Sequence, residues 1–267
     1  MKKTHATWLH RSLLLAVAAL LAACGGKHAG SGSTTSSSAS PPPVVLPTTT
    51  VSGVFDGTFT DTAQPMTAIL QADGSYYIVY SDNNGLPAGA IVGSGTLANG
   101  SFTSSNGDDL SLVGTGNETP TAVTLSASLM ANKSFTGTVT YPAPRGAAAF
   151  GTTFNSSYAQ MPSLSTLAGT YTGAIATKSV KEDQLQLTIT SSGTASGKLS
   201  CGCNITATLT PRADNSSYII SLQFVGGSHV LSNKSLSGNV YYDATRQRIY
   251  IVGSVNGTDT ALFVGTK

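Results

Sequence analysis

From Val51 onward, apolar and polar residues alternate with a period of two. Leu185, Leu187 and Ile189 alternate with Gln186, Thr188 and Thr190, and Ile205, Ala207 and Leu209 alternate with Thr206, Thr208 and Thr210. Val123, Leu125, Ala127 and Leu129 are spaced by Thr124, Ser126 and Ser128, and Tyr218, Ile220, Leu222 and Phe224 form another such run. Alternation over these lengths predicts antiparallel strands with one buried and one wet face. Turn signals separate the runs: Asp73-Gly74, Asn83-Asn84-Gly85, Asn99-Gly100, Asn106-Gly107, Gly226-Gly227 and Asn256-Gly257. Helical periodicity is nowhere visible in this region.

In the second half the pattern predicts eight strands, beginning near residues 168, 184, 196, 204, 217, 235, 248 and 258. Eight short antiparallel strands most simply close into an up-and-down barrel, which removes exposed edges; a two-sheet sandwich uses the same pattern and stays open here. The first half is less regular, because Pro142 and Pro144 interrupt it and Ala147–Tyr158 shows no clear hairpin.

The halves echo each other. Val51-Ser-Gly-Val-Phe-Asp-Gly57 parallels Leu167-Ala-Gly-Thr-Tyr-Thr-Gly173, and Lys133-Ser-Phe-Thr-Gly-Thr-Val-Thr-Tyr141 parallels Lys234-Ser-Leu-Ser-Gly-Asn-Val-Tyr-Tyr242. The separations are domain-sized. The predicted organisation is a first β-domain over 51–161 and a second over 162–267. The predicted fold class is all-β, with two tandem antiparallel β-barrel-like domains of about eight strands each after a disordered linker.

Ahead of this lies a different kind of sequence. Lys2, Lys3 and Arg11 precede an apolar run from Leu13 to Ala23, the order of a secretory signal. That run is too short for a membrane span, which takes about 20 residues. Residues 25–50 read GGKHAGSGSTTSSSASPPPVVLPTTT, which cannot bury enough surface to offset its ordering entropy. As a coil this linker averages roughly 30 Å end to end.

Leu21-Ala22-Ala23-Cys24 matches the lipobox of bacterial lipoproteins. That resemblance implies cleavage of residues 1–23, a diacylglycerol thioether on Cys24, acylation of its new amino group, and a lipidated linker over 24–50. Gly25 and Gly26 follow, rather than the aspartate that commonly retains lipoproteins at the inner membrane, so the resemblance implies the outer membrane of a Gram-negative bacterium. More broadly, the lipobox, the Ser/Gly/Pro tether, the Gly-x-Tyr-x-Gly start, Cys201-Gly-Cys203 before a Thr-rich strand, and the ending Leu262-Phe263-Val264-Gly265 resemble proteobacterial lipoproteins with tandem small β-domains. That family brings no established activity. The architecture is also distantly similar to surface lipoproteins that bind transferrin or complement factor H.

Charge adds an exclusion. The chain carries 14 Lys+Arg and 12 Asp+Glu, but three of the bases lie in the export segment, so the remainder is close to neutral. Nothing in it has the basic footprint of a nucleic-acid binder. Charged residues make up only 10% of the chain, against about 25% in ordinary soluble domains. Ser, Thr and Gly stand in their place, as on strands with hydroxyl-bearing outer faces.

Chemistry-bearing residues are sparse. Cys201 and Cys203 are candidates for a local disulfide, with metal binding or redox chemistry as alternatives. His229 is the one histidine beyond the linker, follows a glycine turn, and has no Gly-x-Ser-x-Gly elbow to accompany it. Asp108-Asp109 after Asn106-Gly107 reads as a hairpin turn. No metal or cofactor beyond the covalent lipid is expected. Tyr77, Tyr241 and Tyr250 face away from the predicted interiors, either as a partner surface or as a seam between the domains. The expected function is a non-enzymatic, lipid-anchored protein that binds a protein or glycan partner at the cell surface or in the periplasm. A periplasmic carrier of a small apolar ligand in one barrel, or an envelope hydrolase, are the alternatives.

Overall fold

The computed structural model describes residues 52–267, apart from 83, 113–119, 161, 179–180, 201, 214 and 228–229, and only the backbone of 181–184. The signal segment 1–23, Cys24, the linker, Cys201 and His229 therefore lie outside the described residues. Among the described residues no helix is long and apolar enough to cross a membrane.

The first barrel is built from β1 (Gly53–Phe59), β2 (Pro65–Leu70), β3 (Ser75–Ser81), β4 (Pro87–Ser94), β5 (Thr96–Ala98), β6 (Ser101–Ser111), β7 (Thr121–Met130), β8 (Ser134–Thr140) and β9 (Ala147–Phe154). All pairings are antiparallel between sequence neighbours, except that β1 pairs β9 and β4 pairs β6, which closes an eight-strand ring with β5 as a short appendage on β6. The second barrel runs β10 (Gly169–Thr177), β11 (Lys181–Ile189), β12 (Thr194–Leu199), β13 (Asn204–Pro211), β14 (Ser217–Val225), β15 (Ser235–Asp243), β16 (Arg248–Val255) and β17 (Asp259–Thr266), closed by β10 on β17. This continuous ring of pairs is a barrel, not a two-sheet sandwich. Both barrels belong to one compact unit.

Each interior is filled by the inward phase of its own strands. In the second barrel Leu185, Leu187 and Ile189 meet Ile205, Leu222, Phe224 and Phe263. Phe55, Phe102, Phe135 and Phe150 fill the first, with Phe135 and Phe150 centroids 5.3 Å apart and Phe102 edge-on to Tyr76. Each such side chain taken from water contributes about 1.5–3 kcal/mol. Cys203 is buried in the second interior.

The two sequence echoes have different structural meanings. Gly57 on β1 pairs with Thr152 on β9, and Gly173 on β10 pairs with Gly265 on β17, so both stand where the first strand meets the last. A Cβ at Gly57 would come within 2.7 Å of Thr152 Cα, and one at Gly173 within 2.7 Å of Gly265 Cα. Closure at these points requires the missing side chain. The second echo is not topologically equivalent: β8 is the last strand but one of its barrel, and β15 the last but two. Gly137 and Gly238 nevertheless serve one purpose, since a Cβ on either would meet a neighbouring strand's Cα, of Ala127 at 2.6 Å and of Gly253 at 2.7 Å.

Two local expectations are corrected. Asn106-Gly107 is not a hairpin turn; it lies inside β6, where the pairing with β7 shifts register between Ser104 and Gly107. That irregularity leaves Asp108 and Asp109 on a strand. The stretch 147–158 without a clear hairpin is β9 followed by a 3-10 turn at Ser156–Ala159. Between the barrels, the short helix α1 (Leu164–Leu167) sends Leu167 into the second core. Tyr171 Oη donates to Leu167 O at 2.5 Å and Tyr218 Oη to Ser163 O at 2.8 Å, which pins this cap.

Candidate functional site between the barrels

Where period two gives way to unbroken apolar runs, strands are buried on both faces. β3, β16 and β17 are of this kind. Their outward residues form a third core: Val54, Ile69, Tyr77, Val79, Ala90, Val92, Leu110 and Leu112 of the first barrel pack on Ala176, Tyr241, Tyr250, Val252, Leu262 and Val264 of the second. Tyr77, Tyr241 and Tyr250 are 5%, 3% and 1% exposed. Their outward phase agrees with the sequence reading, but they are not an exposed partner surface: the seam covers them. Tyr241 and Tyr250 stack with centroids 6.0 Å apart. Burial pushes the Tyr77 hydroxyl up to about 12, with the nearby Asp73 carboxylate adding to the effect. Burial likewise raises Tyr241 and Tyr250.

Polar bridges frame this apolar seam. Asp56 accepts from Thr67 Oγ1 at 2.6 Å, from Asn155 Nδ2 at 2.9 Å, and from Arg246 Nη1 of the second barrel at 3.0 Å. Arg246 also bridges Asp243 at 2.6 Å, and Asn155 Nδ2 donates to Tyr241 Oη at 2.8 Å. Burial alone would lower the Arg246 pKa; Asp243 and Asp56 outweigh it and hold the guanidinium above its ordinary value. Arg248, buried on β16, donates from Nη2 to Gly85 O at 2.6 Å in the turn after β3. Lys178 pairs with Asp108.

A cleft of about 220 Å³ opens along the seam. The β2–β3 turn supplies Gln71, Ala72 and Asp73, the connector supplies Tyr158, the β13–β14 turn supplies Arg212 and Asn215, β14 supplies Ser217, and β15 supplies Asn239. Ile69, Val240 and Val252 give it apolar walls. Asn215 holds the turn through its Oδ1, which accepts from Ser217 N at 2.9 Å. Arg212 Nη1 donates to Asn239 Oδ1 at 3.4 Å. The Gln71 Nε2 atom is buried and has no hydrogen-bond partner among the described residues. None of these polar residues stood out in the sequence, because they lie on turns and on alternate strand positions that bring them together only once the barrels dock.

A second pocket, of about 230 Å³, lies at the mouth of the first barrel, walled by Phe59, Tyr80 and Tyr141. Asp109, 7% exposed, accepts from Tyr80 Oη at 2.7 Å and from Arg145 Nη1 at 3.1 Å, and the Arg145 guanidinium lies 3.7 Å from the Tyr141 ring centroid. Burial and then the Asp109 charge raise the Tyr80 and Tyr141 hydroxyls. Among the described residues there is no cluster of three His, Cys, Asp or Glu that could hold a metal ion.

No family model matches the chain, and no curated protein matches it. Among solved structures, a Bacteroides fragilis protein provisionally described as an outer membrane protein is similar over 81% of this chain and 98% of that one, at 16% identity and a TM-score of 0.28. A likeness at that level carries no argument; the fold rests on the strand pairing itself.

Proposed function

We propose that this chain is an outer-membrane lipoprotein, anchored through Cys24, whose joined barrels act without catalysis by binding a macromolecular partner. The observation that carries the binding reading is that both barrel interiors are packed with their own side chains. Recognition then falls to the outside, where the seam cleft is concave, mixed in polarity and built by both barrels. The lipobox and the tether support the location: three acyl chains hold far more firmly than the marginal grip of one, and residues 25–50 have the Gly/Ser/Thr/Pro composition of a tether.

Affinity capture with the mature chain, from envelope and from host material, is the test. A specific partner is expected, and its recovery should fall when the cleft is filled by Ala72→Trp. Recovery of nothing beyond what a tether-only control recovers would sink the reading. Protease shaving of whole cells decides whether the barrels face outward or into the periplasm.

The mouth pocket favours a second reading, a carrier of a small ligand. Native mass spectrometry of the purified chain would show a co-purifying adduct, lost in Tyr141→Ala, if that reading holds.

A further inference from the structure

We infer that the mouth pocket of the first barrel takes a small aromatic molecule of one or two fused rings, seated against the Arg145 guanidinium; this rests on the second reading above, that the pocket carries a small ligand. Arg145 is the starting point. The turn after β8 folds back on itself, with Tyr141 N donating to Gly146 O at 2.8 Å and Arg145 N to Pro142 O at 3.1 Å. That brings Arg145 over the ring of Tyr141, its guanidinium carbon 3.7 Å from the centroid, and Asp109 holds Nη1 at 3.1 Å. Fixed at one face and one end, the side chain is still 57% exposed and lines the pocket. A guanidinium is planar, so the face turned away from Tyr141 is the open one.

The rest of the lining selects what covers that face. Phe59, Tyr80 and Tyr141 wall the pocket, and Ala147 and Ala148 add only methyl groups. Phe59 is held edge-on to Tyr80 and to Phe150, with centroids 6.2 and 6.4 Å apart, so the walls are set before anything enters. An aromatic guest is favoured twice: its π face attracts the guanidinium, and its faces and edges suit aromatic neighbours. A saturated guest of the same size gains the apolar burial but neither of these. An ion gains little, because Asp109 already neutralises Arg145. The volume, about 230 Å³, is below that of drug-sized sites, which suits a molecule the size of phenol or indole.

Saturation-transfer NMR titrations test this, using the mature lipidated chain in a detergent without aromatic groups. The probes are matched pairs, phenol against cyclohexanol and benzyl alcohol against cyclohexylmethanol, with indole as the two-ring member. Each aromatic probe is expected to bind about fivefold more tightly than its saturated partner, the effect of one cation–π contact at a part-exposed site. Arg145→Leu combined with Asp109→Asn, which leaves no buried charge unpaired, is expected to erase that preference while the saturated probes bind as before. Ala147→Trp fills the mouth from an exposed position without touching the Asp109–Arg145 pair, and is expected to abolish binding of every probe. Equal binding within each pair, a preference that persists in the double variant, or no binding by any probe overturns the proposal. A saturated adduct that co-purifies with wild type and is lost in Tyr141→Ala would remove the aromatic assignment while leaving the carrier reading standing.

Discussion

Truncating Tyr250 to alanine tests whether the seam makes one body of two barrels. Tyr250 is 1% exposed and stacked on Tyr241, in a cluster to which both barrels contribute. Burial raises its hydroxyl, and the nearby Arg248 charge acts in the opposite sense. Removing a buried aromatic costs about 3–5 kcal/mol through lost transfer energy and the cavity left behind. Total stabilities of folded proteins are only about 5–15 kcal/mol, so the loss is a large share. Equilibrium urea unfolding is the assay, read by tyrosine fluorescence and near-ultraviolet circular dichroism, because the sole tryptophan is Trp8. Wild type should unfold in a single transition. With a urea slope of roughly 2 kcal/mol per molar, Tyr250→Ala should lower the midpoint by roughly 2 M and separate the two barrels into distinct steps. Tyr250→Phe keeps the ring and its packing, and should cost no more than about 1 kcal/mol. Two separate transitions in wild type, or a midpoint for Tyr250→Ala within about 0.3 M of wild type, would refute the coupling.

Gly173→Ala forces a Cβ against the backbone of β17 and should cost about 1–3 kcal/mol in thermal melts, whereas Gly151→Ala, with nothing within 4 Å of its added carbon, should be neutral or slightly stabilising. High pH is a further lever. An unfolded tyrosine titrates near 10, while Tyr77 holds its proton up to about 12. Its stabilising share is therefore complete below pH 10 and lost as pH rises through about 12, at up to about 1.4 kcal/mol per pH unit. Urea midpoints measured across that window should fall less steeply in Tyr77→Phe, and an unchanged slope would contradict the burial account. Cys24→Ser should leave the chain unlipidated; cell fractionation that finds it still processed and membrane-bound would end the anchor assignment.

The second barrel was legible in outline because its strands present one wet face. The starts read near 168, 204, 217, 235, 248 and 258 lie within a residue of the strands at 169, 204, 217, 235, 248 and 259. The first barrel was harder, since β6 carries a bulge that breaks the alternation and makes Asn106-Gly107 look like a turn. The seam's location was present as a signal that a one-faced strand pattern does not anticipate. Ile249-Tyr250-Ile251-Val252 and Ala261-Leu262-Phe263-Val264 are apolar on both faces, and only a second packed surface explains that. The cleft was not legible at all. Gln71, Arg212 and Asn239 are ordinary polar residues of turns and outer faces, and their meeting depends on how two curved surfaces dock.

Closure of each ring by its first and last strands also governs how the protein reaches its native state. Thr172 must find Thr266, at the far end of the segment that forms its barrel, and the β1–β9 ladder sets the same demand for the first barrel. Contacts of such long range must meet the entropy of loop closure before they return anything, so folding should be slow compared with a helical protein of equal size. Until the last strand arrives, β10 and β16 carry open edges and the apolar seam faces are uncovered, the conditions under which chains associate wrongly. The folding chain is thus most vulnerable in the interval before Asp259–Thr266 is in place, and truncations that remove only this strand should aggregate rather than yield a smaller soluble barrel.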